Sequence, residues 1–322
     1  MQELRKDYIF DRWVIVNTER AKRPRDFIKQ HPKIAENGPC PFCRGNENLT
    51  PPEISRVEEN GAWILRNFEN KFPAVTSEGN PEVRTEGEFF TSGNAFGKHE
   101  VIVETGRHDQ KFHELSKEHI AKYLQLVFKR KSALYKLPGI KFVAMFKNHG
   151  LEAGTSLSHE HTQLIAYNRL PKNVEREVKA ITSYQRKHRK CPYCAVVELE
   201  RKGPRRIAEN DSFLAFTPYA SIFEFEAGIF SKKHVDSFSK LGEKEILDLA
   251  ELIKKVLTRL SELNAPYNMY FHEYPNGKKH HIHVKIVPRL MTWGGFEHCT
   301  GCIINSVSPE QAAEFFREEN KG

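Results

Sequence analysis

Gly154-Thr-Ser-Leu-Ser-His159-Glu-His161-Thr-Gln163-Leu-Ile-Ala166 alternates two histidines and a glutamine with small or branched residues. In an extended strand the period of two places His159, His161 and Gln163 on one face. Paired imidazoles in a core would need partners for four ring nitrogens. The economical reading is a division of labour, with one ring ligating a metal and the other free as a nucleophile or base. An exposed histidine pair on an edge strand is the plainer alternative, and the flanking sequence argues against it.

Upstream of this stretch, residues 142–146 read as a strand closed by the turn Asn148-His149-Gly150. Before them, Ile120, Leu124 and Val127 recur at helical spacing and predict a helix over 116–134. Glu100-Val-Ile-Val-Glu104 alternates as a strand and runs into His108, and Leu65-Arg-Asn-Phe-Glu-Asn70 reads as a strand ending in a polar turn. Earlier still come Cys40-Pro-Phe-Cys43, the basic cluster Arg20-Ala-Lys-Arg23-Pro24 and a strand at 13–16. The cluster is either a solvated loop or a pair of guanidinium forks, Arg20 and Arg23, for phosphate oxygens.

Downstream, the same order returns. Cys191-Pro-Tyr-Cys194 is followed by alternating residues at 221–227, by His234, and by a helix over 243–260 carrying Ile246, Leu249, Ile253, Val256 and Leu260. A strand at 267–272 and His281-Ile-His283-Val-Lys285 complete the match. His108 and His234 are followed at equal distances by Phe112 and Phe238, Leu115 and Leu241, and Ile120 and Ile246, without a gap. The chain therefore reads as a tandem duplication, residues 1–170 and 171–322, with the nucleophile motif in the first unit.

Each unit supplies two cysteines and two histidines in the same order. Thiolate and imidazole are the usual ligands of zinc, and four of them close a tetrahedral structural site. Cys40, Cys43, His108 and His159 make the first expected site, and Cys191, Cys194, His234 and His281 the second, giving two Zn(2+) per chain. A redox dithiol would need a helix starting on the first cysteine, whereas Arg44-Gly45-Asn46 after Cys43 are turn residues. Cys299-Thr-Gly-Cys302 has no matching histidines apart from His298 and reads as two small buried thiols near a turn.

With His159 on metal, His161 is free. A neutral imidazole is a competent nucleophile toward phosphorus, and its product would be a nucleotidyl-histidine. Gln163 offers a hydrogen bond to a phosphoryl oxygen without a proton to transfer, which suits saving the intermediate for a second substrate. Ser156 and the Gly154 backbone stand where further donors to phosphate would sit.

Composition is consistent with this chemistry. The 322 residues carry a net charge of +8, which favours polyanionic partners such as nucleotides and sugar phosphates. No apolar run is long enough to span a membrane and the N-terminal residues lack the apolar core of a signal peptide, so a cytoplasmic location is expected. A nucleic-acid-binding module is disfavoured, because the expected ligands are spread far more widely than in compact fingers and no basic aromatic stripe is present.

The motifs in combination resemble the galactose-1-phosphate uridylyltransferase family of the histidine triad superfamily, which includes adenylyltransferases and ADP-glucose phosphorylases. The resemblance rests on Trp13-Val-Ile-Val16, Arg20-Ala-Lys-Arg23-Pro24, Cys40-Pro-Phe-Cys43, Asn70-Lys-Phe-Pro73, Val101-Ile-Val103 with His108, Phe146-Lys-Asn148-His-Gly150, the His159-x-His161-x-Gln163 centre and Gly294-Gly-Phe296-Glu297. It spans nearly the whole chain. It implies an α+β fold of two histidine-triad-like half-barrels, antiparallel sheet with flanking helices, commonly homodimeric. It further implies a nucleotidyltransferase in which His161 attacks the α-phosphate of a nucleoside diphosphate sugar and Gln163 holds the phosphoryl group. Hexose 1-phosphate, galactose 1-phosphate above all, or inorganic phosphate then accepts the nucleotidyl group. Arg20, Arg23, Asn70, Asn148 and Ser156 match nucleotide- or phosphate-binding positions, and Phe296 and Glu297 match sugar-binding ones.

The chain departs from the family pattern in two places, and the family itself varies in a third. Glu160 replaces a common proline, Phe296 replaces a common tyrosine, and the second Cys-x-x-Cys is absent from some members, which bind metal through a glutamate and three histidines. Glu177, His272, His281 and His283 could supply that set here, though it would leave Cys191 and Cys194 unexplained. A histidine triad nucleotide hydrolase is the nearest rival activity, and Gln163 argues against it.

Overall fold

Segments whose apolar residues alternate form strands, and those with helical spacing form helices that cover them. The computed structural model describes residues 2–20, 38–80, 82–274 and 280–318. In chain order the regular elements are β1 (Gln2–Lys6), β2 (Trp13–Asn17), β3 (Glu53–Glu59), β4 (Ala62–Glu69), β5 (Arg84–Glu86), β6 (Phe90–Ser92), β7 (Gly97–Val103), α1 (Lys117–Leu134), β8 (Phe142–His149) and β9 (His161–Tyr167). They continue with α2 (Lys172–His188), α3 (Pro192–Glu200), β10 (Arg206–Glu209), β11 (Phe213–Phe216), β12 (Ala227–Ser231), α4 (Glu243–Ser261), β13 (Tyr267–His272), β14 (His283–Pro288), α5 (Gly295–Thr300), β15 (Ile303–Asn305) and α6 (Pro309–Arg317).

Ten strands form one antiparallel sheet in the order β10-β11-β12-β14-β13-β8-β9-β7-β4-β3. Read outward from the central β13–β8 pair, both arms have the same plan. In each, the strand after the long helix pairs with the strand that follows the His-x-His motif. The seam is built from Tyr267 opposite His149, Asn268 opposite Asn148 and Tyr270 opposite Phe146. A second, three-stranded sheet joins β1 and β2 to β15, which runs parallel to β2, so residues 2–17 pack against the second half of the chain. The fold is thus α+β with a large antiparallel sheet and flanking helices.

Helices α1 and α4 lie against the sheet through the predicted stripes, and Ile120, Leu124, Val127, Leu249, Ile253 and Val256 share one buried cluster. Burying each such side chain contributes about 1.5–3 kcal/mol, which makes this layer the main stabiliser of the sheet. Both helices start at side-chain caps. Ser116 accepts from the His119 N–H at 3.1 Å, and Glu245 accepts from the Gly242 N–H at 2.8 Å. No helix among the described residues is long and apolar enough to cross a membrane.

Two sequence expectations change. The alternating residues 221–226 are a turn, not a strand, and β12 begins at Ala227. Glu226 folds back to accept the Ile222 N–H at 3.0 Å, and Phe225 takes a left-handed φ of 56°. The alternation came from Phe223 and Phe225 reaching the core from this turn. Cys299 is exposed at the end of α5 and only Cys302 is partly covered, so these are not two buried thiols.

Candidate active site and metal centres

His159 ends the loop after β8 and His161 opens β9, so the two rings share one side of the chain, both beside Phe42. His159 is tied to the sheet edge, its Nε2–H donating to the Thr105 carbonyl at 2.7 Å. Its Nδ1 thereby faces the cysteines, 3.6 Å from Cys40 Sγ and 3.6 Å from Cys43 Sγ. His108 Nδ1 lies 3.4 Å from Cys43 Sγ. Sulfur and nitrogen on one tetrahedral zinc should stand about 3.6 Å apart, given metal–ligand bonds of about 2.3 and 2.05 Å, so this set fits that ion.

The second set converges in the same way. His281 Nδ1 lies 3.9 Å from Cys191 Sγ and 3.4 Å from Cys194 Sγ, and His234 Nδ1 lies 3.5 Å from Cys194 Sγ. His281 Nε2–H donates to the Ser231 carbonyl at 2.7 Å, an outer contact like that of His159. Cys191 caps the start of α3, the placement a redox pair would also use, but two imidazole nitrogens at ligand spacing favour metal.

Glu177, His272 and His283 form a third group of potential ligands. Glu177 is buried on α2, with its carboxylate 3.3 Å from His272 Nδ1 and 3.4 Å from His280 Nε2, and it accepts from the Tyr193 hydroxyl. The sequence set these residues, with His281, against the second cysteine set. In the fold the two groups are separate, and His281 belongs with the cysteines.

His161 keeps 7% of its surface open. Its Nδ1–H donates to the His159 carbonyl at 2.9 Å, which leaves the Nε2 lone pair free. Burial pushes the imidazole down to about 4, and the charge of Lys147 also lowers it, so the ring is neutral and nucleophilic at physiological pH. Opposite Gln163 in the sheet runs β7, whose His99 was not singled out from the sequence. His99 Nδ1 accepts from the Ala74 N–H at 3.1 Å, so its proton sits on Nε2, 3.0 Å from Gln163 Oε1. That bond occupies the amide oxygen and leaves the Gln163 NH2 as the donor available to a phosphoryl oxygen. A lone histidine within the strand sequence Gly97-Lys-His-Glu-Val was the available signal.

Asn70 lies beside this pair, its Nδ2 3.2 Å from His99 Nε2 and its Oδ1 accepting from the Phe72 N–H. Asn148 Nδ2 reaches the Gly154 carbonyl at 3.4 Å, and Asn148 Oδ1 accepts from Asn268 Nδ2 at 2.9 Å. Asn268 also donates to the Ala153 carbonyl at 2.8 Å. The seam therefore shapes the 150–154 loop, whose Gly150 (φ 85°) has no room for a Cβ against Pro266. Ser156 is exposed on the same loop. Phe296 and Glu297 sit on α5, where Phe296 is largely exposed and Glu297 accepts from the Gly294 N–H. Arg23 and the side chain of Arg20 lie outside the described residues.

Behind the His159–His161 segment, Glu160 and Thr162 point into the core. Lys147 Nζ contacts Glu160 and lies 2.6 Å from Glu104, whose other oxygen accepts from the Thr162 hydroxyl at 2.5 Å. Glu160 also meets His149 Nδ1 at 2.8 Å. Burial acts against both carboxylates, yet Lys147 and His149 hold Glu160 well below the usual range, while Glu104 is raised.

The chain matches two family models. The N-terminal domain of galactose-1-phosphate uridyl transferase covers residues 1–171, and a domain of unknown function, DUF4921, covers residues 88–319. It is 35% identical to ADP-glucose phosphorylase of Arabidopsis thaliana, over 98% of this chain and 92% of that protein. It is 31% identical to galactose-1-phosphate uridylyltransferase of Thermotoga maritima, over 99% and 98%. The crystal structure of the Arabidopsis thaliana ADP-glucose phosphorylase with bound ADP-glucose superposes with a TM-score of 0.84 at 31% identity, covering 99% of this chain and all of that one. With a His-x-His-x-Gln strand set in a matching fold over nearly the full length, the chain belongs to the galactose-1-phosphate uridylyltransferase family of the histidine triad superfamily and is a nucleotidyltransferase.

Proposed function

We propose that the chain exchanges a nucleotidyl group between a nucleoside diphosphate hexose and a hexose 1-phosphate, UDP-glucose and galactose 1-phosphate in the first instance, through a covalent nucleotidyl-His161. The observation that carries this reading is the Nδ1–H bond of His161 to the His159 carbonyl, which fixes the tautomer with Nε2 as the attacking atom. Nε2 bonds to the α-phosphorus as the bond to the bridging oxygen breaks, and hexose 1-phosphate leaves carrying that electron pair. The positive charge on the ring is shared with the Nδ1–H and stabilised by the His159 carbonyl. A phosphate oxygen of the acceptor then attacks phosphorus and Nε2 departs with its lone pair, so no proton needs to move. The Gln163 NH2 donates to a non-bridging oxygen in both directions, and neither it nor His99 positions a base for water. Arg20, Arg23, Asn70, Asn148 and Ser156 are proposed to bind the nucleotide and its phosphates, and Phe296 and Glu297 the sugar.

The two Cys2His2 sets are proposed to hold one Zn(2+) each, supplying cross-links that fix the strands, in a cytoplasmic homodimer, each chain of which has two domains, residues 1–170 and 171–322. A second reading, adenylyl transfer from ADP-glucose to inorganic phosphate, is favoured by the 35% identity to ADP-glucose phosphorylase. Incubation with a panel of UDP- and ADP-sugars, followed by intact mass spectrometry, separates the two by the mass of the adduct. Labelled hexose 1-phosphate should exchange into the corresponding nucleotide sugar with no other acceptor present, as ping-pong transfer requires. Net transfer without adduct or exchange would mean a ternary complex and would sink the role of His161.

A further inference from the structure

Three of the buried charged groups behind β9 are replaced by uncharged residues at the equivalent places in the other half of the molecule. His161 pairs with Val103 across the sheet and His283 with Phe230, and Lys147 faces Thr162 where Phe271 faces Val284. By this register Lys147, Glu160, Thr162 and Glu104 correspond to Phe271, Ile282, Val284 and Ser231. The fold can therefore be built at these places without a charge. A buried cation with two carboxylates costs desolvation energy that apolar side chains avoid, and its presence in one half only asks for another reason.

The reason lies in what covers each histidine. Both rings make the same bond, Nδ1–H to the carbonyl two residues back, at 2.9 Å for His161 and 3.0 Å for His283. His283 is fully buried, stacked between Phe230 at 4.5 Å and His272 at 4.3 Å. Packing on its own face holds it. The corresponding face of His161 must admit a substrate, so its orientation has to be set from behind. The residue whose backbone dihedrals lie between the His159 carbonyl and the His161 ring is Glu160. Lys147 and His149 grip its carboxylate, and Lys147 is held in turn by Glu104 at the end of β7.

We infer that Glu160 and Lys147 are positioning residues for the nucleophile, fixing His161 from the core side because its open side cannot be packed. His149 extends the same grip to the end of β8, next to Asn148, stacking on Tyr267 with ring centroids 4.8 Å apart. The inference rests on His161 as the nucleophile.

The test is single-turnover formation of the nucleotidyl-enzyme at saturating nucleotide sugar, with donor affinity and metal content measured on the same samples. Glu160→Gln keeps shape and burial but weakens both grips. Its rate constant should fall about ten- to a hundredfold, the scale of a small misalignment, with donor affinity and metal unchanged. Lys147→Met should fall similarly, Lys147→Arg should recover most of the rate, and the double Glu160→Gln/Lys147→Met should lose no more than the worse single variant. Lys147→Met faces two uncompensated carboxylates and is the variant at risk of not folding. Replacing all four residues by those of the second half (E104S, K147F, E160I, T162V) supplies an apolar control that should fold, bind donor and react slowly. A wild-type rate in Glu160→Gln, or a loss of rate matched by loss of donor affinity, overturns the inference. Wild-type protein that forms no nucleotidyl-enzyme in the same assay would instead overturn the proposed function.

Discussion

Strands β9 and β14 occupy equivalent places in the two arms of the sheet, begin on equivalent histidines and follow equivalent Cys2His2 sets, yet the two histidines are covered differently. On β9, His161 keeps 7% of its surface open, with Gln163 half-buried beside it. On β14, His283 is sealed beside Glu177 of α2 and Tyr193 of α3, and the place of Gln163 is taken by Lys285. The two arms share one frame, and in the second Glu177 of α2 joins His272 and His283 in a buried group.

The widest gap between the arms should appear at the histidines themselves. His161→Asn should lower nucleotidyl-enzyme formation by at least about a thousandfold, as loss of a covalent nucleophile does, while His283→Asn leaves the reaction in place. Rapid-quench measurement with intact mass decides, and equal losses in both variants would erase the distinction.

Next come the metal sets, which should differ in what they support. Cys40→Ser and Cys191→Ser should each lose about one equivalent of metal and lower the melting temperature by roughly 10 °C. Only Cys40→Ser should also cost transfer activity, because its partner His159 carries the carbonyl that orients His161. Metal below about one equivalent per well-folded wild-type chain would remove both assignments, and about three equivalents would add the Glu177 group to them.

A smaller effect should follow at Gln163. A histidine there can shuttle protons, so Gln163→His should raise nucleotide monophosphate release relative to sugar exchange by up to about tenfold. His99→Leu, which frees the amide to rotate, should slow both equally. An unchanged ratio in Gln163→His would count against the amide as the reason the intermediate is saved for transfer.

The least change is expected from giving the closed arm the amide it lacks. Lys285→Gln should alter stability by about 1 kcal/mol or less and leave one nucleotidyl group per chain at saturation. A second equivalent would show that residue 285, not the cover over His283, keeps that arm silent.

Much of this was legible in the sequence because it repeats. The helices α1 and α4 carry strong helical periodicity, and the Cys-x-x-Cys pairs gain meaning from histidines at matching distances. What escaped notice involves contacts between segments far apart in sequence. His99 matters because β7 lies beside β9, and Asn268 because β13 crosses the seam to β8. Glu160 could be seen as a departure from family pattern, but its partners Lys147 and Glu104 could not be named without the register. The alternating residues 221–226 show the opposite failure, since Phe223 and Phe225 alternate in sequence although Glu226 folds the backbone into a turn.

The parallel pairing of β2 with β15 bears on how the molecule is made. Val14 has no strand beside it on that side until Ile303 has left the ribosome, and Arg5 must wait equally for Glu310, 2.9 Å away in the finished fold. The β1–β2 hairpin, made well before β15, is therefore among the last pieces seated. The ten-stranded sheet, whose neighbours mostly follow one another in sequence, has the opportunity to assemble before it. Synthesis that stalls before residue 303 would leave an exposed strand edge on the nascent chain, a place for chaperones to bind or for aggregation to start.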